Sequence, residues 1–362
     1  MSSAPQPRQP PTQDDQPQAT TQPVVPQPTS APVPTPRHAY PAAPATPTSP
    51  SPVLVAAEDA LLATVGVPVE RREVMVDGVR LHYLVCGARR VAHEAASAAA
   101  EPPLLLLHGR GCSGALFAPI LAQLAAQREV IALDLPGWGL SDKPVFTGHS
   151  GRDALAVWVA GVFGFLDAVG LRKVDLLGHS MGGFTALGVA LDHPDRVRRL
   201  ILVDSGGLGR DAPSDVRLYF WLKPERLHRW FGRRFLRYVL KQDAPSRPIS
   251  SGPFFEMMYA LTTQPEVIPS GAHAFDQWVN LFGVHIDLLN RLGELQAPTL
   301  LLWGERDRVT RYHDALIAAR HLPRGRLVAF SGCGHMPFVE RPDDFARVLL
   351  VWLDGGGAPS RV

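Results

Sequence analysis

Six short segments, apolar at nearly every position, recur along the chain: LLLL at 104–107, VIAL at 130–133, VDLL at 174–177, LILV at 200–203, TLLLW at 299–303 and LVAF at 327–330. A strand with one face in water alternates apolar and polar residues. A strand apolar throughout is buried on both faces, as in a parallel sheet covered by helices. Helical periodicity fills the gaps, near 115–126, 152–169, 181–192, 311–320 and 342–354. The expected fold class is therefore α/β, with one mostly parallel, doubly wound sheet.

Two departures refine this scheme. Residues 69–87 hold two strand-like runs around Asp77-Gly78, a dipeptide suited to a type I′ turn, so the sheet should open with an antiparallel hairpin. Between 206 and 292 the strand signals stop, and aromatic, Arg-rich helical patterns replace them. An insertion there, after a strand's carboxyl end, predicts a helical cap or lid. The domain reading is a tail at 1–55, core at 56–205, cap at 206–292, core again at 293–356 and a disordered end at 357–362. The alanine-rich segment 88–103 reads as a loop or short helix without chemistry.

The tail holds 15 of the 35 prolines within its first 50 residues. Such a composition cannot bury enough apolar surface to offset the entropy of ordering, so disorder is expected. It begins MSSAPQPRQPP, without the basic start and apolar run of a secretory signal, and three unpatterned cysteines (Cys86, Cys112, Cys333) suggest no disulfide framework. The expectation is a soluble, cytoplasmic protein. A net charge of +2 is too small to argue for a nucleic-acid partner.

Catalytic groups of a parallel sheet collect beyond its strand ends. Ser180, in Gly178-His179-Ser180-Met181-Gly182, stands where a buried strand gives way to a helix. Neighbours without a Cβ let strand and helix approach while the serine takes strained dihedrals. Ser113 and Ser150 lack that context and read as loop or cap serines. A hydroxyl needs a base to become a nucleophile. His335, on the Gly-rich loop after the last strand, is favoured over His108, which opens a glycine loop, and over His179, whose side chain should point away from the serine. Asp307, past the preceding strand, is favoured as the acid holding the imidazole, with Glu305 and Asp204 as rivals. Backbone amides of Met181 and of Arg110, in HGRG at 108–111, are the expected oxyanion donors.

Five segments in this order resemble the α/β-hydrolase superfamily: HGRG (108–111), DLPGWGLSDKP (134–144), GHSMGG (178–183), WGERDRVT (303–310) and GCGHMPFVERPDDF (332–345). The resemblance covers roughly residues 69–354. It implies an eight-stranded sheet, no metal or organic cofactor, and a Ser180, Asp307, His335 triad. A serine at the elbow departs from the epoxide hydrolase and haloalkane dehalogenase branches, which carry aspartate there. The reading is a serine hydrolase acting on a carboxylic ester through an acyl-enzyme. Carbon–carbon bond hydrolase of the ring-cleavage type, perhydrolase and acyltransferase use the same triad and remain alternatives. Met336 stands where the ring-cleavage branch usually carries an aromatic residue. A non-catalytic small-molecule or protein binder is the alternative of another class.

Trp138 and Phe338 are expected to line the pocket for a small ester or acyl substrate. Residues 208–250 carry ten Lys or Arg against four Asp or Glu. Within 222–241, Leu227, Trp230, Phe231, Phe235 and Val239 recur at helical spacing, with arginines on the other faces. That pattern predicts a cap helix packing its apolar stripe on the core, with weak contact to an anionic membrane as the sharper alternative. Oligomeric state is not legible.

Overall fold

The computed structural model describes residue 1 and residues 51–87, 101–210, 212–247, 249–263, 269–356 and 361–362. Eight strands form one sheet in the order β1-β2-β4-β3-β5-β6-β9-β10. The hairpin of β1 (Val69–Val76) and β2 (Val79–Cys86) is antiparallel, and Asp77 and Gly78 both take positive φ, 48° and 79°, as a type I′ turn requires. β2 meets β4 (Val130–Leu133) antiparallel. From there β3 (Leu104–Leu107), β5 (Val174–His179), β6 (Val197–Val203), β9 (Thr299–Gly304) and β10 (Gly325–Phe330) run parallel.

Both faces of β3, β4, β5 and β9 are dry, as the apolar runs predict, and β6 and β10 are buried over their carboxyl-terminal halves. Leu105, Leu107, Leu176, Leu202 and Leu301 point to one core layer, while Leu104, Leu106, Leu177, Ile201 and Leu302 point to the other. α3 (Gly151–Ala168) and α4 (Met181–Asp192) cover the first layer; α2 (Ala118–Ala125) and α11 (Pro342–Leu353) cover the second, with short α10 (Pro337–Glu340) before α11 and α9 (Tyr312–His321) between β9 and β10.

The insertion between β6 and β9 contains α5 (Ser214–Trp221), α6 (Pro224–Asp243), α7 (Pro253–Thr263) and α8 (Pro269–Trp278), then a two-residue-per-strand hairpin, β7 (Val279–Asn280) and β8 (Gly283–Val284). Among the described residues no helix is long and apolar enough to cross a membrane.

The expected ends need correction. Pro52–Leu62 form α1, inside the segment assigned to the tail: Leu54 and Leu61 are buried in the second core layer and Glu58 pairs with Arg71 of β1 at 2.6 Å. At the other end, Val362 N–H donates to the Ala329 carbonyl and Ser331 N–H to the Val362 carbonyl, so the last two residues extend the β10 edge. Residues 2–50 of the tail, 88–100 and 357–360 lie outside the described residues.

Candidate active site

Ser180 lies between β5 and α4 with φ 54° and ψ −116°, a conformation costing a non-glycine residue on the order of 1–3 kcal/mol. The surrounding backbone over-determines it. Ser180 N–H donates to Val203 O at 3.0 Å, and Ser180 O accepts from the amides of Gly183, Phe184 and Gly206 at 3.0, 3.1 and 2.9 Å. The glycine at 182 is required by proximity, since a Cβ there would overlap the Leu107 carbonyl oxygen. Met181 opens α4, so its amide belongs to the positive end of the helix.

His335 is held at three points. Its Nδ1–H donates to Asp307 Oδ2 at 2.8 Å, its backbone N–H donates to Asp243 O at 2.7 Å, and its carbonyl accepts from His179 Nε2 at 2.8 Å. Asp307 is fixed in turn: Oδ1 accepts from the amides of Val309 and Thr310 at 2.7 and 3.1 Å, and Oδ2 from the Thr310 hydroxyl at 2.7 Å. The other acids are occupied elsewhere. Glu305 pairs with Arg361 at 2.8 Å, and Asp204 Oδ1 accepts from Gly304 N–H at 2.8 Å. Arg308, a surface partner that Asp307 could have taken, bonds Gln242 at 2.9 Å and Asp215 at 2.7 Å.

The electrostatics follow from burial and neighbours. Burial works against the His335 imidazolium, but Asp307, with Asp243 and Glu340 behind it, outweighs burial and raises the pKa above the ordinary histidine value. Burial, then the charge of Asp307, pushes Asp204 well above the ordinary carboxylate value. Asp243 is pushed up to about 6, mainly by burial, against the opposing pull of His335. Burial and the neighbouring His335 charge hold His179 well below the usual value, leaving a neutral ring. A neutral imidazole with Nδ1–H on a carboxylate presents Nε2 as a base.

His108 does not compete for that role. Its Nδ1–H bonds the Gly109 carbonyl at 2.7 Å and its Nε2 accepts from Leu135 N–H at 3.0 Å, which fixes the glycine loop. That loop lies against the elbow: a Cβ on Gly109 would come 3.2 Å from Ser180 Cβ. Ser180, His335, Arg110 and Trp138 line one cavity of about 450 Å³ with cap residues of α5, α6, α7 and α8. Phe338 does not line it. It is fully buried under the His335 loop, with ring centroids 5.3 Å from Phe117 and 5.0 Å from His179. Met336, two residues earlier at the start of α10, lines the cavity instead. Cys112 and Cys333 are buried and free, with burial pushing their thiols up to about 12 and about 11.

Two residues that the sequence left without a role join the cap to this floor. Glu340 Oε1 accepts from Gly334 N–H at 2.7 Å, while Oε2 accepts from the Ser246 amide and hydroxyl at 2.8 and 2.6 Å. Asp243, the last residue of α6, supplies the carbonyl that holds the His335 amide. The only sequence signal for Glu340 is an acid in a loop-to-helix turn five residues after the histidine, too common to be read alone.

A sequence model of the alpha/beta hydrolase fold matches residues 102–342. The chain belongs to the α/β-hydrolase family. This hydrolase is 30% identical over 253 residues to a 2-hydroxymuconate semialdehyde hydrolase of Pseudomonas putida, covering 68% of this chain and 85% of the relative. It is 28% identical over 264 residues to a 2-hydroxy-6-oxo-6-phenylhexa-2,4-dienoate hydrolase of Comamonas testosteroni, covering 69% and 87%. Among solved structures, a membrane phospholipase A described as a bacterial virulence factor superposes with a TM-score of 0.68 at 28% identity, covering 84% of this chain and 91% of that one.

Proposed function

We propose that this hydrolase cleaves a carbon–carbon bond next to a ketone in an apolar substrate that carries a carboxylate, of the 6-oxo-dienoate kind. The observation carrying this reading is Arg110. Its guanidinium carbon lies 5.1, 5.3 and 5.9 Å from the ring centres of Phe275, Phe220 and Trp138, inside the cavity that Ser180 and His335 line. A cation among aromatic rings suits an anionic group at one end of an otherwise apolar ligand. The two curated relatives above act, by their names, on 2-hydroxymuconate semialdehyde and on a phenyl-bearing 6-oxo-dienoate, and this supports the same class here.

In this mechanism His335 Nε2 takes the Ser180 proton, and Ser180 Oγ attacks the ketone carbon. The oxyanion rests on the amides of Met181 and Arg110. Before this attack the 2-hydroxy dienol is ketonised, its proton passing to the carbon beside the ketone. After attack the bond to that carbon breaks, its electron pair passes through the C=C bond to the 2-oxo group, and the resulting dienolate oxygen receives the proton from His335. Water attacks the remaining acyl-enzyme by the same route in reverse. One water is consumed and two products leave, one carrying the new carboxylate.

The decisive measurement is kcat/KM for a 2-hydroxy-6-oxo-dienoate, followed by loss of its absorbance, against a panel of p-nitrophenyl esters of increasing acyl length. The expected result is a preference of at least about 100-fold for the dienoate, with Arg110→Met raising KM for the dienoate about tenfold or more and leaving neutral esters unchanged, as loss of a charged hydrogen bond implies. Ester hydrolysis is the second reading. Met336 and the apolar cap lining of Leu236, Met258 and Leu261 favour it, and a preference for long-chain esters would replace the first reading with it.

A further inference from the structure

The α6 sequence does not fold as one continuous stripe. At Gly232 the backbone takes φ 60° and ψ −148°, a kink between two helical halves. Beyond it Leu236 and Leu240 face the core and Phe235 and Val239 line the cavity. Before it, Trp230 and Phe231 turn outward, 69% and 61% exposed. The expectation that both rings pack on the core is thereby corrected. They are not isolated: Trp221 and Leu222 at the end of α5 are 53% and 41% exposed, and Tyr238 is 59% exposed. The rings connect to the cavity, with Phe231 to Phe235 at 6.1 Å and Phe235 to Tyr238 at 6.4 Å between centroids. Leu218, Leu222 and Tyr238 both line the cavity and are exposed, so its mouth opens between α5 and α6 within this aromatic collar.

The collar is also cationic. α6 contains Arg226, Arg229, Arg233, Arg234, Arg237 and Lys241 against Glu225 and Asp243. Arg233 and Arg237 are engaged within the cap, by Glu256 and by the Ser250 carbonyl, whereas Arg226, Arg229 and Arg234 lie on the exposed surface beside the rings. Water-exposed tryptophan and phenylalanine flanked by arginine match the boundary of an anionic bilayer, where rings enter the headgroup region and guanidinium groups meet phosphate. A second copy of the chain fits poorly. A symmetric contact through this face would set arginine against arginine.

We infer that the α5–α6 face of the cap is a docking surface for anionic lipid, holding the cavity mouth at the membrane so that apolar substrate enters from the lipid side. The inference stands whichever bond Ser180 breaks.

The test uses the full chain and vesicles of phosphatidylcholine alone or with about 30% phosphatidylglycerol, in flotation at about 50 mM and 500 mM salt, a range over which screening separates charge-driven binding. Binding is expected to the anionic vesicles at low salt, with release at high salt. Trp230→Ser with Phe231→Ser should weaken partitioning at least about tenfold, and Arg226→Gln, Arg229→Gln and Arg234→Gln together should do the same, consistent with the weight of each basic residue near such a surface. None of these five residues lines the cavity, so hydrolysis of a soluble substrate and the melting temperature should stay at wild-type values and report intact folding. Absence of wild-type binding to anionic vesicles at low salt overturns the inference. So does a concentration-dependent dimer that the double aromatic variant abolishes, which would make the face a self-association surface.

Discussion

The floor of the cavity and its cap are built on opposite principles. On the floor, Ser180, Asp307 and His335 are each fixed by three or more hydrogen bonds, and β5 and β9 beneath them are buried along their whole length. In the cap, α5 has no fully buried residue, and α6 bends at Gly232 and leaves large rings in water. Rigid placement is what proton transfer and oxyanion stabilisation demand, while a surface that accepts varied ligands can be looser. The difference teaches where to look for each property: reaction class on the floor, substrate choice where floor and cap meet around Arg110, and location on the outer face of the cap.

Substitutions in the triad should therefore act on kcat, and those on the outer face of the cap on binding. The largest effect is expected for Ser180→Ala, about 10⁶-fold in kcat by analogy with other triads, with an unchanged melting curve. Activity within tenfold of wild type would remove Ser180 from the mechanism. Next is Asp307→Asn, on the order of 10⁴-fold in kcat, with a change in pH dependence. Only neutral His335 serves as base, and Asp307 raises its pKa, so the acid limb of kcat/KM lies above the ordinary histidine value in the wild type. Losing that charge should move the limb to lower pH, and an unmoved limb would dissociate Asp307 from the imidazole.

How legible was this in the chain? Ser180, Asp307 and His335 each follow an apolar strand within a few residues, so local pattern marks them as candidates. The competition between Asp307, Glu305 and Asp204 needed geometry, since all three stand at strand ends. The bond from His335 Nδ1 to Asp307 Oδ2 decides among them, with Glu305 paired to Arg361 and Asp204 Oδ1 held by the Gly304 amide. The contacts of Glu340 with Ser246 and of Asp243 with His335 span more than ninety residues, beyond any periodicity argument. Phe338 and the Trp230–Phe231 pair were misplaced for related reasons. A loop-to-helix turn and a glycine kink each shift the phase of side chains that a regular spacing assumes continuous.

Two smaller effects probe the seam between floor and cap. Glu340→Gln puts an amide N–H₂ where backbone and hydroxyl donors now meet a carboxylate, and should cost about 1–3 kcal/mol in denaturant unfolding. A kcat loss larger than the stability change explains would show that the bridge also sets the His335 loop. The smallest effect is expected for Asp243→Asn. Its carboxylate, pushed up to about 6, is ionised at neutral pH and helps to raise His335. Its neutralisation should lower the acid limb in the same direction as Asp307→Asn but by less, and a shift to higher pH would contradict the assigned electrostatics.

The bond from the His335 amide to the Asp243 carbonyl has a mechanical side. The end of α6 is tied to the same loop that carries the imidazole, and Glu340 ties down the turn that follows. A swing of the cap about that end would pull on the histidine. Any opening of the cap that spares the triad has to leave that end of α6 in place. The cap's anchor and the proposed general base thus share one strap, at the other end of α6 from the exposed rings.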